Sequence, residues 1–228
     1  MSGNRTPLSA PVDAVAGASY GPMTADPQAR IEWVASDERR QLGGALRRLL
    51  DVVVQTGADP DVLAAAAATV DQLAEGLAGS ALQADDSLAA DSYRSHMSLV
   101  GGLSHPAAPQ LVMTVDADQA TGEVVVGPLF QGGPGLVHGG VIALLIDHAM
   151  GCVAAQPDRP AMTVKLEVRY RRPTPLGVPL TVSARLQRSD GRQLRLSASI
   201  VAGGEVTVEA DGVFLILTAE NLAAVFPR

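Results

Sequence analysis

Between Val137 and Gly151 the chain reads VHGGVIALLIDHAMG, and two features of this stretch can do chemistry. A His-Gly-Gly (His138, Gly139, Gly140) opens it, and a carboxylate, Asp147, lies inside an otherwise apolar run. The pattern predicts a helix with His138 as its N-cap. The Gly139 amide then falls in the first turn, where a helix offers no internal acceptor. That amide and the helix dipole together favour a developing oxyanion, and glycine lets a carbonyl approach the backbone closely. An unpaired carboxylate costs several kcal/mol to bury, while burial makes a carboxylate a better general base. Each feature also has a plainer reading. His138 serves equally as a helix cap, the two glycines as a tight turn, and Asp147 as an acid satisfied by a backbone amide or an arginine.

Other chemistries fit less well. Gly133 and Gly135 begin a G-x-G-x-x-G pattern, but His138 occupies its last position, and no G-K-[ST] follows. There is no H-E-x-x-H and no cysteine pair, and His138 and His148 stand on different faces of one helix, so no metal site is expected. Acyl chemistry remains. Cys152, the only cysteine, reads as a small buried hydrophobe. His148 reads as a core or interface residue, and His96 and His105 fall in loop-like sequence.

The elements that must position these groups can be sketched from composition and periodicity. The 228 residues suffice for one domain with an extension, and 47% of them are apolar. A net charge of −7 argues against a nucleic-acid partner. One cysteine excludes an internal disulfide and fits a cytoplasmic setting; neither a signal peptide nor a membrane span is expected. Residues 1–35 read as a flexible tail and 36–90 as a helical hairpin. Its first helix enters at Ser36 with Leu42, Leu46, Leu49, Leu50 and Val53 at helical spacing. Those leucines are expected to pack on something. The second helix covers Asp61 to about Leu77. The hairpin's acidic stretch reads as a solvated face.

Residues 91–228 form the second part. Leu111–Val115 and Glu123–Val126 read as strands turned by DADQATGE. The glycine-rich loop and the apolar helix come next. Four strands follow, near Met162–Arg171, Val182–Arg188, Leu194–Val201 and Val206–Leu217, with Asp190-Gly191 as a hairpin signal. In the first of them, alternation sets Thr163 against the Met162, Val164 and Leu166 face. A helix apolar all round must be buried, and one antiparallel sheet can curl around it. The class is α+β.

QGGPGLVHGGVIALLIDHAMG followed by TVKLEVRYRRPTPLG resembles the hotdog-fold acyl-CoA thioesterases of the phenylacetate-pathway and human thioesterase-superfamily kind. In that family a His-Gly-Gly opens the central helix and an Asp lies nine residues beyond the His, as Asp147 does. The superfamily-4 branch adds a Thr sixteen residues further on, matched by Thr163. The resemblance implies a curled sheet around one helix, homodimers or dimers of dimers with shared sites, acyl-CoA as substrate and no cofactor; the N-terminal helical extension, read from periodicity alone, is not part of the family's common pattern. Asp147 would activate water or attack the thioester, Gly139 N–H would hold the oxyanion, His138 would order the loop or polarise the carbonyl, and Thr163 would orient the water or the Asp. Gly140 would line the approach. For the CoA phosphates, Arg169, Arg171 and Arg172 with Lys165 form the densest basic cluster in the chain; the plainer reading is a solubilising strand edge. A hydratase of the same fold would need a different His/Asp arrangement. The rival from another class is a non-catalytic acyl-CoA sensor whose N-terminal helices bind a partner.

Overall fold

The structure is a computed structural model describing residues 36–79, 98–155 and 159–218. The tail over 1–35, the hairpin's end over 80–90, and His96 lie outside these residues. The chain divides into two compact units, one holding Gly57–Ala90 and the other Ile31–Thr56 together with Asp91–Arg228.

Helix α1 (Asp37–Val53) starts where the Ser36 hydroxyl accepts the Arg39 amide at 3.3 Å, an N-cap bond that satisfies one orphan donor. Its leucine stripe is covered only in part: Leu46 and Leu50 are half-buried, while Leu42 and Leu49 are each 36% exposed and Val53 55%. The docking line is Gly43, Arg47 and Asp51, one turn apart and therefore on one face. A Cβ on Gly43 would stand 2.5 Å from the Ser104 carbonyl oxygen, so only glycine permits this approach. Arg47 donates to the carbonyls of His105 at 2.6 Å and Leu103 at 3.1 Å. Asp51 accepts from the Leu129 amide at 3.2 Å. Helix α2 (Pro60–Ala78), in the other unit, begins with proline at its first turn and is exposed along its length.

Six strands follow: β1 (Val112–Asp116), β2 (Gln119–Val125), β3 (Ala161–Tyr170), β4 (Pro179–Asp190), β5 (Gln193–Ala202) and β6 (Glu205–Ile216). Their order is β1-β2-β4-β5-β6-β3, with every neighbouring pair antiparallel. Helix α3 (Gly139–Ala154) touches all six, so the sheet curls around it. Leu145, Ile146, Ala149, Met150 and Val153 lie fully buried against Leu180, Val182, Leu194, Leu196, Ile200 and Phe214. Each such aliphatic side chain contributes about 1.5–3 kcal/mol of burial free energy. The helix comes so close to β6 that a Cβ on Gly212 would collide with the Met150 sulfur. The result is the α+β hotdog arrangement.

Two expectations need correction. Strand β2 starts at Gln119, inside the segment taken as a turn. Ala117, at φ 49°, closes the chain tightly, and Gly122 sits mid-strand because a Cβ there would strike the Val112 carbonyl. Nor is α3 enclosed all round: Val141, Leu144, Asp147, His148 and Cys152 are only half-buried in the single chain.

Candidate active site

His138 is the N-cap of α3, at φ −61° and ψ 135°, and its Nδ1 accepts the Gly140 amide at 3.0 Å. An imidazole accepting at Nδ1 carries its neutral-form proton on Nε2, which leaves Nε2–H free to donate outward. The cap consumes the Gly140 amide. The Gly139 amide, by contrast, has no acceptor among the described residues. It is a helix-terminal N–H beside the positive end of the dipole. The preceding loop is tied into place: Gly132 N–H donates to Leu136 O at 2.9 Å, and His138 N–H to Phe130 O at 2.9 Å. Gln131 Oε1 accepts the Gly135 amide at 3.2 Å, with Gly135 at φ 71°. A Cβ on Gly132 would lie 2.9 Å from His138 Cα, so glycine is required where the loop folds back on the cap.

Asp147 lies two turns further along α3. It is not an unpaired carboxylate in a sealed core. Thr163 donates its hydroxyl to Asp147 Oδ1 at 2.7 Å, a short charge-assisted bond, and both residues are half-buried. Thr163 reaches the helix because β3 changes phase. The register with β6 shifts between Thr163 and Lys165, so Val164 is the extra residue of a bulge. Ahead of the bulge Thr163 pairs with buried Phe214 and faces inward, while Met162 and Val164 are 42% and 55% exposed. Beyond it Leu166 and Val168 turn inward, contrary to simple alternation, and Tyr170 follows them. The Tyr170 hydroxyl donates to Gly139 O at 2.9 Å. Tyr170 therefore clamps the first peptide of α3, a role that the sequence pattern did not single out.

The basic cluster lies elsewhere. Lys165 and Arg169 both pair with Glu167 at 3.2 Å, and Arg169 also with Asp211 at 2.7 Å. Arg171 meets Glu209 at 2.8 Å and Arg172 meets Glu205 at 3.0 Å. Three of those four acids come from β6, brought opposite by the β3–β6 register. The net positive patch expected from the sequence is thus charge-balanced, and none of its four cations bonds to α3.

The rest of α3 is quieter. Burial lowers the His148 pKa, partly offset by a bond to Leu111 and the Asp147 charge, and His148 Nε2 stands 3.7 Å from Cys152 Sγ. Burial raises the pKa of the Cys152 thiol, which makes it a poor nucleophile. His105 is also lowered, by burial and then by Arg47. Among the described residues no group of three His, Cys, Asp or Glu side chains could hold a metal ion, and no helix is long and apolar enough to cross a membrane.

A curled antiparallel sheet wrapped around one central helix defines the class of hotdog-fold proteins. Residues 134–209 match the thioesterase superfamily. A crystal structure of a thioesterase superfamily protein aligns with a TM-score of 0.69 at 31% identity, covering 79% of this chain and 96% of that one. The chain belongs to the thioesterase superfamily. Among curated relatives, acyl-coenzyme A thioesterase THEM4 of Bos taurus is 38% identical over 97 residues, covering 42% of this chain and 40% of that protein. The Mus musculus protein of the same name is 40% identical over 101 residues, covering 41% of this chain and 44% of its own. The chain therefore matches less than half the length of these relatives. The structural match reaches further, because 79% of the chain exceeds residues 91–228 and must enter the N-terminal segment.

Proposed function

We propose that this protein hydrolyses acyl-CoA thioesters, with Asp147 as the base or nucleophile and the Gly139 amide as the oxyanion donor. The observation that carries the reading is the Thr163–Asp147 bond of 2.7 Å. It holds one carboxylate oxygen and leaves the other for the reaction. That oxygen takes a proton from water as the water attacks the thioester carbon, or it attacks the carbon itself and water then cleaves the anhydride. Either way the carbonyl oxygen becomes negative beside the Gly139 N–H, the C–S bond breaks, and the sulfur leaves to take up a proton. His138 Nε2–H supplies a second donor to the carbonyl, and Gly140 keeps the approach open. The names of the THEM4 relatives support acyl-CoA as the substrate, and a lone cysteine is compatible with a cytoplasmic setting.

The working form we propose is a homodimer. On one chain the Gly139 amide and Asp147 are eight helical steps apart, about 12 Å of rise, too far to serve one carbonyl. Strand β3 ends the sheet, and its exposed Met162 and Val164 flank Thr163. An unpaired apolar edge invites a partner, and a two-fold partner would bring one chain's amide to the other's Asp. Thiol release from a series of acyl-CoAs tests the activity. Asp147→Asn keeps the shape and removes the base, so turnover should fall by about 10²–10⁴. A variant with most of its activity intact ends the assignment.

A further inference from the structure

We infer that Asp51, on the helix that precedes the thioesterase match, is a positioning residue for the Gly139 amide, which makes α1 part of the working site. The inference rests on the oxyanion role of Gly139 proposed above.

A short chain of bonds carries it. Asp51 Oδ1 accepts the Leu129 amide at 3.2 Å. Leu129 belongs to a one-turn 3₁₀ segment, Pro128–Phe130, closed by Phe130 N–H to Gly127 O and Gln131 N–H to Pro128 O, each at 3.1 Å. The carbonyl of Phe130 takes the His138 amide at 2.9 Å. The next peptide is the one that carries the Gly139 N–H. Asp51 thus lies three links from the donor, all of them backbone or backbone-directed.

The fit is close and specific. A Cβ on Gly127 would lie 2.8 Å from Asp51 Oδ1, so the turn closes directly onto the carboxylate. Among the described residues Asp51 forms no ion pair, although Arg47 and Arg48 lie one turn before it, and its side chain bonds to the loop. Arg47 anchors the same face of α1 to the carbonyls of Leu103 and His105, and Gln55 Nε2 reaches back to the Asp51 carbonyl at 2.9 Å. The helix is therefore a fixed post. A helix that only covered the sheet would bury its whole leucine stripe, and here Leu42 and Leu49 stay exposed while Gly43 is buried.

The loop needs such a post. It holds Gly127, Gly132, Gly133 and Gly135 within nine residues, a composition with little backbone stiffness of its own. An oxyanion donor acts only when preorganised, and a misplacement of about 1 Å can cost on the order of 10²-fold in rate.

The test compares Asp51→Ala, Asp51→Asn, Gly139→Pro and the Asp51→Ala/Gly139→Pro double variant in the full chain. Thiol-release kinetics and amide exchange are read for each. Asp51→Ala should lower kcat about tenfold or more, with KM within about twofold of wild type. Asp51→Asn, whose amide oxygen still accepts from Leu129, should recover most of that loss. Because both changes act on the same donor, Asp51→Ala should cost nothing further once Gly139→Pro is present. Amides over 127–139 should exchange faster in Asp51→Ala while those of β5 stay unchanged. A wild-type kcat in Asp51→Ala overturns the inference, as does a multiplicative loss in the double variant or a uniform rise in exchange across β5. If Gly139→Pro itself remains active, the oxyanion reading falls instead, and the exchange pattern still decides whether Asp51 holds the loop.

Discussion

A complementation experiment decides whether each site is built from two chains. The perturbation is a pair of inactive parents. Asp147→Asn lacks the proposed base but keeps the Gly139 amide; Gly139→Pro lacks that amide but keeps the Asp147 carboxylate. Proline suits this position because Gly139 is the first residue of α3 and His138 before it is already extended at ψ 135°. The geometry supplies the magnitude. Residues 139 and 147 lie on one unbroken helix, so no rotamer brings an oxyanion at the amide within reach of the carboxylate some 12 Å away. In the proposed two-fold dimer each site would take its amide from one chain and its Asp from the other. When the parents mix at random, half of the dimers are mixed and each mixed dimer has one intact site of two, which gives about a quarter of wild-type turnover in the whole mixture and about half in isolated mixed dimers. The assay is thiol release after co-expression with two affinity tags, on mixed dimers confirmed by mass. Activity that stays at the parental floor in confirmed mixed dimers refutes the shared site, because sites built within one chain are never intact in any mixture.

Three further outcomes follow from the same geometry. Thr163→Val removes the hydroxyl from Asp147 and should cut kcat by about ten- to a hundredfold, the worth of a hydrogen bond to a charged group; Thr163→Ser should restore it, and a Val variant at wild-type rate would make the bond incidental. Because Arg169 and Arg171 are already balanced by Glu167, Glu209 and Asp211, replacing both with Ala should shift KM for acyl-CoA less than about threefold, as expected for exposed pairs. A tenfold rise that is absent with an acyl-pantetheine substrate would restore them as phosphate ligands. Burial lowers the His148 pKa, so below the ordinary value of about 6.5 the unfolded chain binds more protons than the folded one. Stability should therefore fall as pH drops from 7.5 to 5.5, and His148→Gln should flatten part of that slope in urea unfolding; identical slopes would remove His148 from the account.

The positions at which the sequence was readable share a cause. The His138 and Ser36 caps each rest on contacts within their own helix, and Gly191 sits at positive φ in its turn, where local chain chemistry decides the shape. What stayed hidden depends on contacts between distant segments. Simple alternation along β3 cannot reveal that Val164 is an extra residue, yet that bulge decides which way Leu166, Val168 and Tyr170 face. The arginine cluster looked unbalanced because its acids, Glu205, Glu209 and Asp211, lie more than thirty residues away and arrive only through the β6 register. Gly122 read as a turn because nothing local shows the Val112 carbonyl crowding it. The docking face of α1 was the least legible of all. Periodicity ranks faces by apolar content and so favoured the leucines, whereas this helix is held by a glycine contact, an arginine on two carbonyls and an aspartate on an amide. A face that binds backbone polar groups has no hydrophobic signature. Its trace in the sequence is only the four-residue spacing of Gly43, Arg47 and Asp51, which acquires meaning once the loops they grip are in place.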